Sequence, residues 1–326
     1  MNYVRLIAPA KVNLVLAVGE KREDGFHEVN TIMHSLAFHD TLIMCRFEAE
    51  NDEIQEGAGA NGAAEDGVAE GSANTQDLTL RLFTESAGDI NALEVAPENN
   101  LVYKAVMNLA RVLDRGHGEE IHIKLQKQIP HEAGLGGGSS DAAAALVGAA
   151  LLWDVPTDDE HIFEVAAELG SDVSFFLHGG CVLLEGKGEQ FVRRLEPRRD
   201  FVLLVRPDAG VSTAAAYKEF DRNPLVPEAS YLEELKSIDA ASDVKPWNNL
   251  APAAAAVTPE LVEVQQWAES HDDIDGVLLC GSGSAFCLFC RSHDQAQKLA
   301  AEAFSHGWWT RITSFSRVGA AAVEAY

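Results

Sequence analysis

With 326 residues, 47% of them hydrophobic, the chain is long enough for two domains that each bury a core. Its net charge of −26 argues against nonspecific binding to nucleic acid or anionic membranes, and no run of ~20 apolar residues offers a membrane span. Neither nucleic acid nor a membrane is an expected partner, and the chain is expected to be a soluble, cytoplasmic protein.

The opening MNYVRLIAPAKVNLVLAV reads as a strand over residues 3–18 and not as a signal peptide. It alternates, carries a proline and a lysine midway and lacks a small-residue cleavage site. Val12, Leu14 and Leu16 share one face, and Lys11, Asn13 and Val15 the other, so two polar side chains emerge together from an apolar strand. A second strand is expected near residues 36–48. Residues 51–77 are rich in glycine, alanine and acids and lack aromatics; they cannot bury a core and are expected to form a mobile surface insertion. Asn99 or Asn100 can cap a helix in which Val102, Val106, Leu109 and Leu113 keep helical spacing, with Gly116 at its end. Residues 120–125 alternate as a strand, which Pro130 stops.

Next comes the most informative stretch, PHEAGLGGGSSDAAAAL at residues 130–146. Gly134, Gly136, Gly137 and Gly138 lead into Ser139 and Ser140 and then into an alanine-rich helix expected to run to about Trp153. Glycine lets backbone N–H groups turn inward and approach a ligand closely, and the helix start adds unpaired donors and a positive dipole end. Such a site suits a nucleotide's phosphates. It is not a Walker loop, because no Gly-Lys-Ser/Thr follows, and Ser139 stands where a dinucleotide fingerprint needs its third glycine.

A helix over about 159–169 ends at Gly170, which places Asp172 in a loop. Residues 180–185 and 190–195 look like a hairpin. From about residue 200 a second unit begins with the strand FVLLVR, stopped by Pro207, and Ser212 can cap the helix TAAAYKEF. A helix near 259–270, the strand DGVLLC, the loop GSGS, the strand AFCLFCR, a helix at about 293–305 and a final strand at about 308–315 complete the pattern. Strands mixed with helices and hairpins point to α+β sandwiches and not to a doubly wound parallel sheet. The five cysteines, Cys45, Cys181, Cys280, Cys287 and Cys290, are scattered. Cys287 and Cys290 have CxxC spacing inside an apolar strand, with no second pair or nearby histidines, so no zinc is expected and reduced, buried thiols are.

A phosphate site alone is compatible with kinases, hydrolases and pure binders. A kinase also needs groups to manage the acceptor hydroxyl and the charge on the transferred phosphoryl. Lys11, a cation on an apolar strand, and Asp172 are the two candidates. Spacing does not show that they meet; a snorkelling surface lysine and a turn cap are equally compatible with it.

Four segments, PAKVNLVLAVGEKREDGFHEVNTIM, IPHEAGLGGGSSDAAAAL, LGSDVSFF and GSGSAF, occur in the order found in GHMP kinases. The chain resembles that superfamily over nearly its whole length except residues 51–77. PAKVNL together with DGFHEV resembles, within it, the 4-diphosphocytidyl-2-C-methyl-D-erythritol kinases. The resemblance implies a two-domain α+β fold: an N-terminal ribosomal protein S5 domain 2-like nucleotide-binding domain over residues 1–184 and a C-terminal ferredoxin-like α/β sandwich over 185–326. The last strand is a candidate to return to the first domain.

The resemblance further implies ATP as donor, accompanied by Mg²⁺, and a small-molecule acceptor, the 2-hydroxyl of 4-diphosphocytidyl-2-C-methyl-D-erythritol. It makes Asp172 the proton acceptor and Lys11 the cation beside it. The ATP phosphate loop falls on Pro130 to Ser140, including Ala133 and Leu135. Asn100 and Leu101 match positions bordering the adenine, and Asn13 matches a residue that contacts substrate. His27 matches the residue that reads the cytosine edge, Phe26 a stacking face and Tyr217 the other face. There are departures. Phe26 replaces the usual tyrosine, His131 and Glu132 replace small residues before the loop, Ser171 and Ser174 flank Asp172, and Cys280 stands in place of a hydroxyl residue, where strand-end packing is its expected role. The rival readings are another GHMP small-molecule kinase and a catalytically silent nucleotide-binding regulator.

Overall fold

The computed structural model describes residues 1–48, 78–90 and 95–326. The insertion expected at residues 51–77 lies outside them. Two long strands open the chain, β1 (Tyr3–Lys21) and β2 (His27–Glu48), joined by a turn in which Gly25 takes a φ of +85° without a Cβ penalty. β2 starts well before residue 36. Its first half holds Asn30, Thr31, His34 and Ser35, all buried, so the polar–apolar alternation that marks a half-exposed strand is missing there.

β3 (Thr79–Ser86) lies parallel to β4 (Glu119–Lys127), with α1 (Leu101–Leu113) crossing between them. Asn100 caps α1 through its Oδ1, which accepts from the Val102 N–H at 2.9 Å. α2 (Gly137–Leu152), α3 (Glu160–Leu169) and α4 (Ser171–His178) complete the layer over one face of the sheet. α2 is almost wholly buried and built of small residues; a Cβ on Gly148 would lie 2.3 Å from the Met44 sulfur. It begins at Gly137, two residues before Ser139, because Gly136 serves as N-cap with a φ of +74°. Asp172 does not lie in a loop. Gly170 ends α3 in an extended conformation and α4 starts at once, so Asp172 occupies its first turn.

β5 (Cys181–Glu185) and β6 (Gln190–Leu195) form a hairpin that joins the sheet along the first half of β2. The expected division after residue 184 therefore falls inside a hairpin whose second strand continues the large sheet. The second unit contributes β7 (Phe201–Arg206), α5 (Thr213–Phe220), α6 (Ala229–Ser237), β8 (Trp247–Asn248), α7 (Ala251–Val257), α8 (Glu260–Glu269), β9 (Gly276–Leu279), β10 (Phe286–Cys290), α9 (His293–Ser305), β11 (Trp309–Ser314) and β12 (Ala321–Ala325). Its sheet has the order β11–β7–β10–β9, while the large sheet runs β12–β1–β2–β4–β3. β11 is not the final strand: β12 pairs antiparallel with β1, Val4 opposite Ala325.

The period of two along β7 fixes the layering. Val202 and Leu204 face Leu14, Ile32 and Phe289 in a core between the two sheets, while Leu203 and Val205 pack among α5, α7, α8 and α9. Among the described residues, no helix is long and apolar enough to cross a membrane.

Candidate active site

A cavity of about 580 Å³ opens where the large sheet, the start of α2 and the second unit meet. Residues 130–138 line it continuously. Gly134 has a φ of +73°, and a Cβ there would sit 1.8 Å from the Cys280 carbonyl oxygen, so only glycine fits. The loop is pinned on both sides by backbone bonds: the Lys11 N–H donates to the Leu135 carbonyl at 3.0 Å, and the Ser284 and Ala285 N–H groups donate to Glu132 and Ala133, each at 3.1 Å. At its end, the first amides of α2 have no carbonyl one turn earlier within the helix to bond. Ser139 lines the cavity; Ser140 does not, and its buried hydroxyl has no partner.

Lys11 and Asp172, 161 residues apart in the chain, meet here: Nζ lies 3.5 Å from the Asp172 carboxylate. The lysine side chain is 5% exposed and the aspartate 31%, so the carboxylate is the member open to an incoming group. Asn13, one pleat along β1, accepts from Lys11 Nζ at 2.6 Å and donates to the Thr31 hydroxyl at 2.9 Å, which in turn donates to the Val15 carbonyl at 2.6 Å. This chain of bonds fixes the ammonium in place. Asp172 itself stands at the positive end of the α4 dipole.

The remaining expected residues divide. Leu101 and Tyr217 line the cavity; Asn100, Phe26 and His27 do not. The Asn100 side chain is used by its helix cap. His27 is buried, with its ring 5.3 Å from Tyr217 and its Nε2 2.8 Å from the Asp221 carboxylate. Phe26 is 58% exposed and carries the Lys187 ammonium 4.7 Å above its ring. Lys187 also lines the cavity, so these contacts connect Phe26 and His27 to its rim. Burial pushes the Tyr217 hydroxyl up to about 12, which keeps it neutral. Burial likewise pushes the Cys280 thiol up to about 12, in keeping with a packing role.

Sequence reasoning missed Lys187, Asp221 and a buried cluster of Lys127, Asp40 and Asp141. Lys187 had a faint signal, a lone cation in the Gly-Lys-Gly turn between β5 and β6; Asp221 had none.

Comparison with known proteins bears on this constellation. The GHMP kinases N terminal domain matches residues 100–180, and the GHMP kinases C terminal domain matches 228–307. The 4-diphosphocytidyl-2-C-methyl-D-erythritol kinase of Desulfitobacterium hafniense is 32% identical over 316 residues, covering 95% of this chain and 96% of that protein. The chain belongs to the 4-diphosphocytidyl-2-C-methyl-D-erythritol kinase family of GHMP kinases. The family member of Salinispora tropica is 34% identical over 92% of this chain and 87% of its own length. A crystal structure of 4-(cytidine 5'-diphospho)-2C-methyl-D-erythritol kinase superposes with a TM-score of 0.67 at 28% identity, covering 96% of this chain and 99% of that one. Like other GHMP kinases, this family takes its phosphoryl group from ATP.

Proposed function

We propose that this chain transfers the γ-phosphoryl group of ATP to the 2-hydroxyl of 4-diphosphocytidyl-2-C-methyl-D-erythritol, in the non-mevalonate route to isoprenoid precursors. The observation that carries this reading is the Lys11–Asp172 pair in one cavity with the glycine loop. In it Asp172 accepts the hydroxyl proton, the acceptor oxygen bonds to the γ-phosphorus, and the bond to the β-phosphate oxygen breaks to release ADP. Lys11, held by Asn13, orients the hydroxyl and opposes the negative charge at the reacting centre. The loop amides and Ser139 receive the donor's phosphates.

Among the described residues no group of three or more His, Cys, Asp or Glu could hold a metal. Mg²⁺ is commonly bound by substrate phosphates, waters and one or two carboxylates, and needs no such group. Asp172 and the Ser139 hydroxyl are the protein groups at hand for it, and the ion would offset charge on the phosphates.

Base recognition follows from the His27 contact. With Nε2–H donating to Asp221, Nδ1 becomes an acceptor suited to the exocyclic amine of cytosine, whereas uracil presents an oxygen there. Phe26 and Tyr217 supply the stacking faces, and Lys187, whose ammonium lies over Phe26 and which lines the same cavity, offers a cation to the diphosphate.

The test is ADP formation with the cytidine diphospho-alcohol, its uridine counterpart, mevalonate and homoserine as acceptors. Turnover should require the cytidine compound. Faster turnover of another alcohol would make this a sister kinase, and ATP binding without turnover of any would make it a silent regulator.

A further inference from the structure

The segment that lines the donor end has no regular structure between the last residue of β4, Lys127, and the first residue of α2, Gly137. Both of its ends are gripped by the same three buried side chains. Asp40, on β2, accepts from the Gln128 N–H at 2.5 Å and from the Ile129 N–H at 2.9 Å through Oδ1. Its other oxygen accepts from Lys127 Nζ, which also donates to Asp141 Oδ2 at 2.6 Å. Asp141 belongs to α2, one turn past the glycines. The cluster therefore ties the entry of the loop to its exit.

We propose that Lys127, Asp40 and Asp141 are positioning residues that set the span of the glycine loop and so its grip on the donor's phosphates. Three observations lead there. The cluster is buried, with Lys127 7%, Asp40 0% and Asp141 3% exposed. Buried charges of this kind add little net stability over a well-packed apolar group, so their presence asks for another reason. Lys127 also lines the cavity, and a Cβ on Gly137 would lie 3.1 Å from its Nζ, so the ammonium sits directly under the helix start. Finally, one ammonium faces two carboxylates, and one oxygen, Asp141 Oδ1, is buried without a partner. Burial raises the Asp141 carboxyl well above the usual carboxylate range.

This rests on the reading of the loop as the donor-phosphate site, so the experiment first measures ATP binding to the unaltered chain by calorimetry, without acceptor. Absence of binding there would sink that reading and not the brace. Lys127→Met should then weaken ATP binding and raise KM for ATP by at least tenfold, while KM for the acceptor stays within threefold. Asp141→Asn, which keeps an acceptor for the ammonium, should show less than a third of that effect. Should Lys127→Met not fold, the neutralised pair Asp40→Asn with Lys127→Gln carries the same expectation. Equal rises in both KM values, or unchanged ATP affinity in folded Lys127→Met, would reduce the cluster to a purely structural part.

Discussion

On the reading proposed above, the cavity is walled at its donor end by one unbroken stretch of backbone, residues 130–138, whose shape is dictated by glycines. At its acceptor end it is walled by side chains brought from β1, α4, α5 and the β5–β6 turn: Lys11 and Asn13, Asp172, Tyr217 and Lys187. A phosphate chain presents the same oxygens whatever nucleotide carries it, so amides in a rigid loop suffice. An alcohol carrying a particular base must be recognised group by group, which calls for side chains of different chemistry on separately placed elements. The two ends should accordingly fail in different ways.

The largest effect is expected at the reacting pair. Asp172→Asn should lower kcat by about 10²-fold or more with ATP affinity nearly intact, and Lys11→Ala should act likewise, as single-turnover kinetics and calorimetry would establish. Near-normal turnover in either variant removes that residue from the mechanism. At the donor end, Gly134→Ala forces a methyl group against the Cys280 carbonyl and should cost on the order of 3 kcal/mol of stability, read from urea denaturation, with ATP binding lost in parallel. A variant of normal stability would show that the loop has room that its contacts deny.

A perturbation beneath both ends should not tell them apart. His34 on β2 is fully buried, its Nδ1 bonded to the Ser35 carbonyl and its Nε2 accepting from the Arg198 N–H at 3.0 Å. Burial pushes it down to about 4. The unfolded chain binds that proton near pH 6.5, so the stability tied to the neutral ring is complete above that pH and is lost as pH falls toward 4. The loss is about 3 kcal/mol. A Tm-against-pH curve should flatten over this window in His34→Gln, and an unchanged slope would assign the acid sensitivity to other groups.

Effects at Phe26 and His27, the base-recognising rim proposed above, should be smaller. Phe26→Ala should cost roughly 1–3 kcal/mol in kcat/KM for the acceptor, whereas Phe26→Tyr should be tolerated. His27→Ala should erode the preference for cytidine over uridine and leave ATP affinity unchanged. A main effect of either on ATP would erase the contrast between the two ends.

The same contrast explains what could be read from the residues alone. The glycine loop was legible because its chemistry is consecutive, and so was the polar face of β1 with Lys11 and Asn13. The meeting of Lys11 with Asp172 came only from resemblance, since nothing local states which strand a helix start will face. Ser139 and Ser140 look alike in the sequence, yet only one reaches the cavity, because the helix begins at Gly137 and Ser140 falls on the buried side of its first turn. Asn100 matched a position beside the adenine, but its side chain is occupied by a helix cap. A glycine after a helix signals an end, which points to a loop at Asp172, but here a second helix follows at once. Lys127, Asp40 and Asp141 sit on three different elements, and each by itself resembles an ordinary surface charge.

The pairing of β12 with β1 has a bearing on how the protein is made. Residues 321–325 are made about 300 residues after β1, yet they form an edge of its sheet, and Tyr326 stacks on Tyr3 with ring centroids 5.1 Å apart. β8 likewise reaches back to β1, pairing Trp247 with Val15 and Asn248 with Leu16. The large sheet therefore cannot be completed while its first strands are being made. It waits, with one edge of β1 open, until the second layer has been translated, and a nascent chain arrested after residue 200 should remain far more open to protease along β1 than the released protein.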